Sequence, residues 1–317
     1  MKTLLTKSIN RAASFIQQGH VVAFPTETVY GLGADAFDAK AVAKIFMAKG
    51  RPSDNPLIVH LASIEDLPLV TTDVPDTAKK LFDHFSPGPI TIILKKNNAI
   101  PAIVSAGLKT VGTRIPALKV ARDFIRASER PLAAPSANRS GRPSGTQYKH
   151  VLDDFEGRIP CILKGAASQY GLESTVVDCS TTKPKILRLG AIGSAEIEAV
   201  LGVGLTERRI RKLKTIKSPG MKYKHYAPRA KVIIFDPKEK LKRGGGAKAY
   251  IGMTNPQKNT FEKIKICKSL QSYGQELYSF FRDCDTSHMT HIYCEMPPYS
   301  GIGMTITDRI LKASQKK

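Results

Sequence analysis

The sequence predicts an α/β protein built on a mixed sheet, and three observations carry that reading. Short apolar runs alternate with stretches whose apolar residues recur every three or four positions, through the first two thirds of the chain. The runs at 174–178 and 185–189 are separated only by 179–184, a hairpin-length connection, so the sheet is expected to be mixed rather than purely parallel. After a basic stretch containing Pro and Gly, the alternation restarts at 231–235, which predicts a second, smaller α/β module.

In chain order, Leu5, Ile9, Ala12, Ala13 and Ile16 predict a packed first helix. The same segment has Lys2 and Lys7 but no apolar stretch resembling a secretory leader, which points to the cytoplasm. Strands are expected at 21–24, 57–61, 90–94, 131–134, 159–163, 174–178 and 185–189, and helices at 38–48, 74–85, 117–127 and 194–201. The helix at 38–48 aligns Val42, Ile45 and Phe46 on one face. In the last module, strands are expected at 231–235, 249–252, 264–267 and 291–294, with helices at 273–283 and 303–314. The resulting division is 1–203, a connecting segment 204–230, and 231–317. That connector is strongly basic over 207–217, yet it also carries Tyr223, His225 and Tyr226, which ordinary linkers lack.

Composition narrows the class. With 317 residues and 42% hydrophobic content, the chain can build about two cores. Mean hydropathy is −0.19 and no apolar stretch approaches the ~20 residues that span a bilayer. The five cysteines form no CxxC pair, so a zinc site or a disulfide framework is not expected and buried thiols are. A net charge of +22 predicts attraction to polyanions, without choosing among RNA, DNA, nucleotides and an acidic membrane.

Five clusters could carry chemistry. Pro25 to Gly33 follow an apolar strand and bring hydroxyls, Glu27, Tyr30 and two glycines to one loop. Lys49 and Arg51 flank Gly50 at a helix end, with Ser53, Asn55 and His60 downstream; a mobile ammonium and a planar guanidinium suit phosphate, although a helix C-terminus also favours cations. Arg114 lies between apolar residues before Pro116, where it could bind a carboxylate or serve a structural ion pair. The loop 135–146 is dense in hydroxyls, glycines and backbone donors of the kind that cradle phosphate. Glu173, Ser174 and Arg188 form the last cluster, and a buried Arg188 needs an anionic partner. No GxxxxGK[ST] loop and no complete dinucleotide fingerprint occurs, and no hydrolase order of Ser, His and Asp is visible. A purely RNA-binding module remains open on charge, but Trp is absent and no RRM or KH pattern appears.

Taken together, the blocks PTETVYGLG (25–33), KGRPSDNPL (49–57), PGPITIIL (87–94), VGTRIP (111–116), APSANRSGRPSGT (134–146), ESTVVD (173–178) and RLGAI (188–192) closely resemble the YrdC-type family of threonylcarbamoyl-AMP synthases. The family's KxR and SxN signature falls on Lys49, Arg51, Ser136 and Asn138, and PGMKYKHYAP at 219–228 resembles the two-domain form. Two departures stand out: the last module is compressed around 238–246, and 207–217 is unusually basic. The resemblance implies a twisted, mixed open sheet with a concave basic site, plus a small Rossmann-like module. It implies synthesis of L-threonylcarbamoyladenylate and pyrophosphate from L-threonine, bicarbonate and ATP, for tRNA modification beside the anticodon. A carbamoyltransferase module is a further alternative, but those domains sit in longer chains with zinc-finger-like cysteines. By resemblance, L-threonine would meet Thr28, His60, Arg114, Ala134 and Ser174. ATP would meet Arg51, Asn55, Thr110, Ser136, Asn138, Ser144, Arg188, His225 and Tyr226, with Lys49 and Arg51 neutralising phosphates. Mg²⁺ would ride on ATP without a protein metal site, 218–228 would close as a lid, and tRNA and a downstream threonylcarbamoyl transferase are candidate partners.

Overall fold

The computed structural model describes residues 2–204, 226–239, 241, 245–256 and 261–315. Most of the expected lid, the basic stretch 207–217 and His225 lie outside these residues.

The chain opens with strand β1 (Leu4–Thr6), not with the helix expected from Leu5 onward. Leu5 pairs with Ile162 in a parallel ladder, and Ser8 then caps helix α1 (Ile9–Gln17) by accepting from the Arg11 amide. Helical spacing is real from Ile9, but a three-residue strand is too short to show its own period. Strand β2 (Val22–Phe24) runs into the first cluster and returns as β3 (Gly31–Asp35), antiparallel to it. The sequence reading placed both glycines of that cluster in a loop. Instead Gly31 and Gly33 sit in a strand against the Phe24 ring, where a Cβ on either would lie 2.9 Å from a ring carbon. They serve close packing rather than phosphate binding.

Helix α2 (Ala39–Lys49) starts at the Asp38 cap and ends on Gly50, whose φ of 60° is left-handed. The Gly50 and Arg51 amides bond back to Met47 and Phe46, so the chain turns sharply out of the helix. The chain continues through β4 (Ile58–His60), a 3₁₀ turn (Ile64–Leu69), α3 (Asp76–Phe85), β5 (Ile90–Lys95) and α4 (Ala102–Ser105). It then passes through β6 (Thr110–Arg114), α5 (Lys119–Ala127), β7 (Leu132–Ala134) and α6 (Tyr148–Phe155). The first unit ends with β8 (Cys161–Leu163), β9 (Thr175–Asp178), β10 (Lys185–Arg188) and α7 (Ser194–Leu201). Strands β3 and β6 and helix α6 were not anticipated. Two of them carry Gly or polar residues that hide an apolar run, and all three are held by tertiary partners.

Among the described residues the first unit is a 10-stranded mixed sheet in the order β1-β8-β2-β3-β7-β4-β6-β5-β9-β10. The β9–β10 pair is antiparallel, as the short connection requires. Helices cover the sheet, and its strand interiors are buried.

The second unit holds β11 (Lys231–Phe235), β12 (Lys248–Gly252), β13 (Lys263–Ile266), α8 (Leu270–Thr286), β14 (His291–Glu295) and α9 (Ile302–Ser314). Its described strands form a parallel sheet in the order β11-β14-β12-β13. Ser269 caps α8, which begins earlier than the apolar spacing alone indicates. The two units share apolar packing. Val29 and Leu172 belong to the same buried cluster as Tyr226, Leu277, Tyr278, Ile306 and Ile310. Gly171, at φ +68°, lies so near α8 that a Cβ there would come 2.5 Å from Gln275 Cα. All five cysteines are buried free thiols.

Candidate active site

The sharp turn after α2 buries Lys49 beneath the loop that follows β7. Its side-chain nitrogen donates to the Ser136 carbonyl at 2.6 Å and the Asn138 carbonyl at 2.5 Å. Burial, and then the neighbouring Arg51 charge, hold its pKa well below the usual lysine value. The Ser136 hydroxyl donates to Asn138 Oδ1 at 2.5 Å, and the Asn138 amide donates to the carbonyls of Arg139 and Arg142. This loop is pinned to the first cluster by the Gly31–Ser136 bridge and by the Ala137 amide on the Tyr30 carbonyl at 2.6 Å.

Parallel pairing of β4 with β6 sets His60 opposite Arg114, and antiparallel pairing of β4 with β7 sets Ile58 opposite Ala134. Arg114 donates to Glu27 at 2.6 Å, and both side chains are buried. Burial alone would raise the Glu27 pKa; the Arg114 charge and hydrogen bonds outweigh it and keep the carboxylate ionised. His60 stands edge-on to Phe24, with ring centroids 5.8 Å apart. Burial, reinforced by Arg114, pushes its pKa down to about 3, so the ring is neutral at working pH.

At the other wall, Arg188 wraps the start of β9. It donates to the Ser174 carbonyl at 2.9 and 3.2 Å and to the Ser174 hydroxyl at 3.2 Å. Ser174 also shares a 2.7 Å hydrogen bond with Thr91. The Ser144 hydroxyl donates to Glu173 at 2.7 Å. Tyr226 closes this side, stacked on Tyr278 at 5.3 Å, and its phenol pKa is pushed up to about 12, chiefly by burial. The Ala227 amide bonds the Gly141 carbonyl at 2.9 Å, so the end of the connector rests on the 135–146 loop.

These walls enclose a cleft of about 740 Å³, counting its solvent-open mouth. Of the residues singled out from sequence, Lys49, Arg51, His60, Arg114, Ala134, Ser136, Asn138, Ser144, Ser174, Arg188 and Tyr226 all line it. Thr28 stands behind the wall and hydrogen-bonds at 2.8 Å to Thr26, which does line it. Asn55 is buried beside Arg51 and does not line the cleft. The Arg51 guanidinium reaches the Asn55 carbonyl at 3.3 Å, whereas neither Asn55 amide atom finds a hydrogen-bond partner among the described residues. Thr110 faces a separate small hollow with Thr91 and Val176.

Sequence reasoning grouped Thr26, Tyr30, Arg142 and Glu173 into candidate clusters without giving any of them a ligand, and it gave no role to Arg309 and Tyr278 behind the wall. A signal for Arg309 existed: it interrupts the buried face that runs through Ile306, Ile310 and Ala313 of α9. Among the described residues no group of three or more His, Cys, Asp or Glu side chains is placed to hold a metal ion. No described helix is long and apolar enough to cross a membrane.

Five basic side chains and one carboxylate on the described walls, with hydroxyls among them, define an α/β protein whose cleft suits a small polyanion. The profile Sua5_yciO_yrdC, described as telomere recombination, matches residues 14–190, and that of the threonylcarbamoyl-AMP synthase C-terminal domain matches 192–315. The chain belongs to the Sua5/YciO/YrdC family. It is 41% identical to the threonylcarbamoyl-AMP synthase of Pyrococcus abyssi, over 96% of this chain and 94% of that protein. It is also 41% identical to the Bacillus subtilis enzyme of the same name, over 96% and 92%. The crystal structure of P. abyssi Sua5 complexed with L-threonine superimposes with a TM-score of 0.91 at 39% identity, covering 99% of this chain and 97% of that one.

Proposed function

We propose that the protein is an L-threonylcarbamoyladenylate synthase. It joins L-threonine, bicarbonate and ATP into threonylcarbamoyl-AMP and releases pyrophosphate. The observation that carries this reading is the shared cleft, which His60 and Arg114 line together with Lys49, Arg51, Ser136, Ser144 and Arg188.

The amine of L-threonine adds to the carbon of bicarbonate and water leaves, giving a carbamate. A carbamate oxygen then attacks the α-phosphorus in line, and the bond to the β-phosphate oxygen breaks. Both partners are anions, so the protein lowers the barrier by positioning them and by screening their charge; no side-chain nucleophile takes part. Arg114, held by Glu27, presents its guanidinium to the threonine carboxylate, and neutral His60 offers a hydrogen bond to the substrate. Ala134 and Ser174 complete that pocket, with Thr28 supporting Thr26 from behind. Arg51, Ser136, Asn138, Ser144 and Arg188 serve the nucleotide side, with Asn55 behind Arg51, whereas Thr110 faces a separate hollow and takes no part in the cleft. Lys49 and Arg51 offset the phosphate charge, and Mg²⁺ enters as part of the ATP substrate. Tyr226 closes one wall of the cleft and helps to keep water from the carbamate and the adenylate, while His225 lies outside the described residues. The product serves threonylcarbamoylation of tRNA by a downstream transferase in the cytoplasm.

The test is pyrophosphate release from ATP by the purified protein. Release should require both L-threonine and bicarbonate. Turnover that ignores threonine, or that needs carbamoyl-phosphate instead, would reject the assignment.

A further inference from the structure

Among the described residues lining the cleft, Glu173 is the one carboxylate. Its charge is met from the second unit. Oε2 accepts from Arg309 Nε of α9 at 3.0 Å and from the Tyr278 hydroxyl of α8 at 3.1 Å, while Oε1 accepts from Ser144 at 2.7 Å. Arg309 is fully buried, donates to the Leu189 carbonyl at 2.8 Å, and lies 4.9 Å from the Tyr226 ring centroid. Glu173 is thus placed between two guanidiniums, Arg309 behind it and Arg188 on the cleft side.

That arrangement fixes what each group is free to do. With Arg309 in place, Glu173 is satisfied from behind, and Arg188 spends its donors on Ser174. Burial alone would raise the Glu173 pKa; Arg309 and then Arg188 keep it ionised. Without Arg309, an uncompensated buried carboxylate would draw on Arg188 and Ser144, the groups that face the nucleotide, and would repel phosphate. A second clamp acts on the same loop: Arg282 of α8 donates to Asp154 and to the Pro143 carbonyl, next to Ser144.

We propose that Arg309 and Tyr278 are positioning residues for the nucleotide side of the cleft, acting through Glu173 on Ser144 and Arg188, so that the second unit completes a site the first unit frames. This rests on the synthase reading for the identity of the ligand.

The experiment measures affinity for a non-hydrolysable ATP analogue and, separately, for L-threonine. It compares wild type with Tyr278→Phe, Arg309→Lys and Ser144→Ala, and with each of the first two combined with Ser144→Ala; melting temperatures are recorded throughout. Arg309→Lys keeps the charge but loses the fork, and Tyr278→Phe deletes a single hydroxyl, so it retains the fold if the arginine variant does not. We expect analogue affinity to fall about tenfold for Arg309→Lys and about threefold for Tyr278→Phe, with L-threonine affinity within about threefold of wild type. Combined with Ser144→Ala, the losses should be far smaller than the product of the single losses, because both changes act on one contact. Unchanged analogue affinity, equal loss for both ligands, or losses that multiply would overturn the proposal. Failure of the wild-type protein to release pyrophosphate would instead sink the synthase reading, and the analogue series would still decide the role of Arg309.

Discussion

At the level of single residues, the cleft separates into groups held by partners and groups left to face a ligand. Arg114 keeps a guanidinium face toward the cleft although it is already paired with Glu27. Replacing Arg114 with Met should weaken L-threonine binding at least tenfold, about the worth of a charge-assisted hydrogen bond, with a much smaller effect on ATP. Calorimetric titration of each ligand distinguishes this from general damage. Protonation adds a second prediction. His60 has a native pKa near 3 and His150 one near 4, both below the ordinary 6.5. The unfolded chain therefore binds protons that the native state refuses as pH falls from about 6.5, and each histidine costs up to ~1.4 kcal/mol per pH unit. Glu27 and Glu173 are held below the usual 4.5, so their contribution is intact above that value and is lost only as pH falls through their lower native values. The melting temperature should already decline between pH 6.5 and 5, and His60→Gln should flatten that decline. An unchanged slope in this variant would show that the native ring takes up a proton after all.

At the level of elements, the site depends on turns and registers more than on motifs. Gly50 ends α2 in the left-handed region, so that Lys49 reaches the 135–146 loop and Arg51 turns to the Asn55 carbonyl. Gly31 lets β3 lie against the fully buried Phe24 ring. Gly31→Ala should cost about 1–3 kcal/mol, because the added carbon meets a ring with no space to retreat. Chemical denaturation measures the loss, and a change within a few tenths of a kcal/mol would contradict the packing account. The apolar strands β2, β5, β8 and β9 were legible from their runs. Strands β3 and β6 were not, because Gly31, Gly33, Thr110 and Thr113 break the apolar pattern, and cross-strand pairing supplies what their own sequence lacks. The β1 strand was read into α1 for the same reason: Leu4 to Thr6 become a strand only because β8 lies beside them.

For the whole molecule, the boundary between the units is not a boundary in packing. Arg282 is buried against Asp154, Arg309 against Glu173, and Leu172 packs within the second core. Breaking a buried pair by removing one partner costs several kcal/mol. The protein should therefore melt in one calorimetric transition rather than two, and Asp154→Asn should lower that transition without splitting it. Two well-resolved transitions in the wild type would show that the units are energetically separate.

The sequence by itself determined the α/β class, the mixed character of the sheet, the restart near residue 231, and the identity of most groups around the cleft. Local spacing and residue chemistry are enough for those. Tertiary structure alone decided that Thr110 faces another hollow, that Lys49 is committed to two carbonyls, and that the last helix returns to Glu173. Those outcomes depend on which strands lie side by side and on which charges share a buried volume. A linear reading contains neither, because the partners stand 136 residues apart for Arg309 and Glu173.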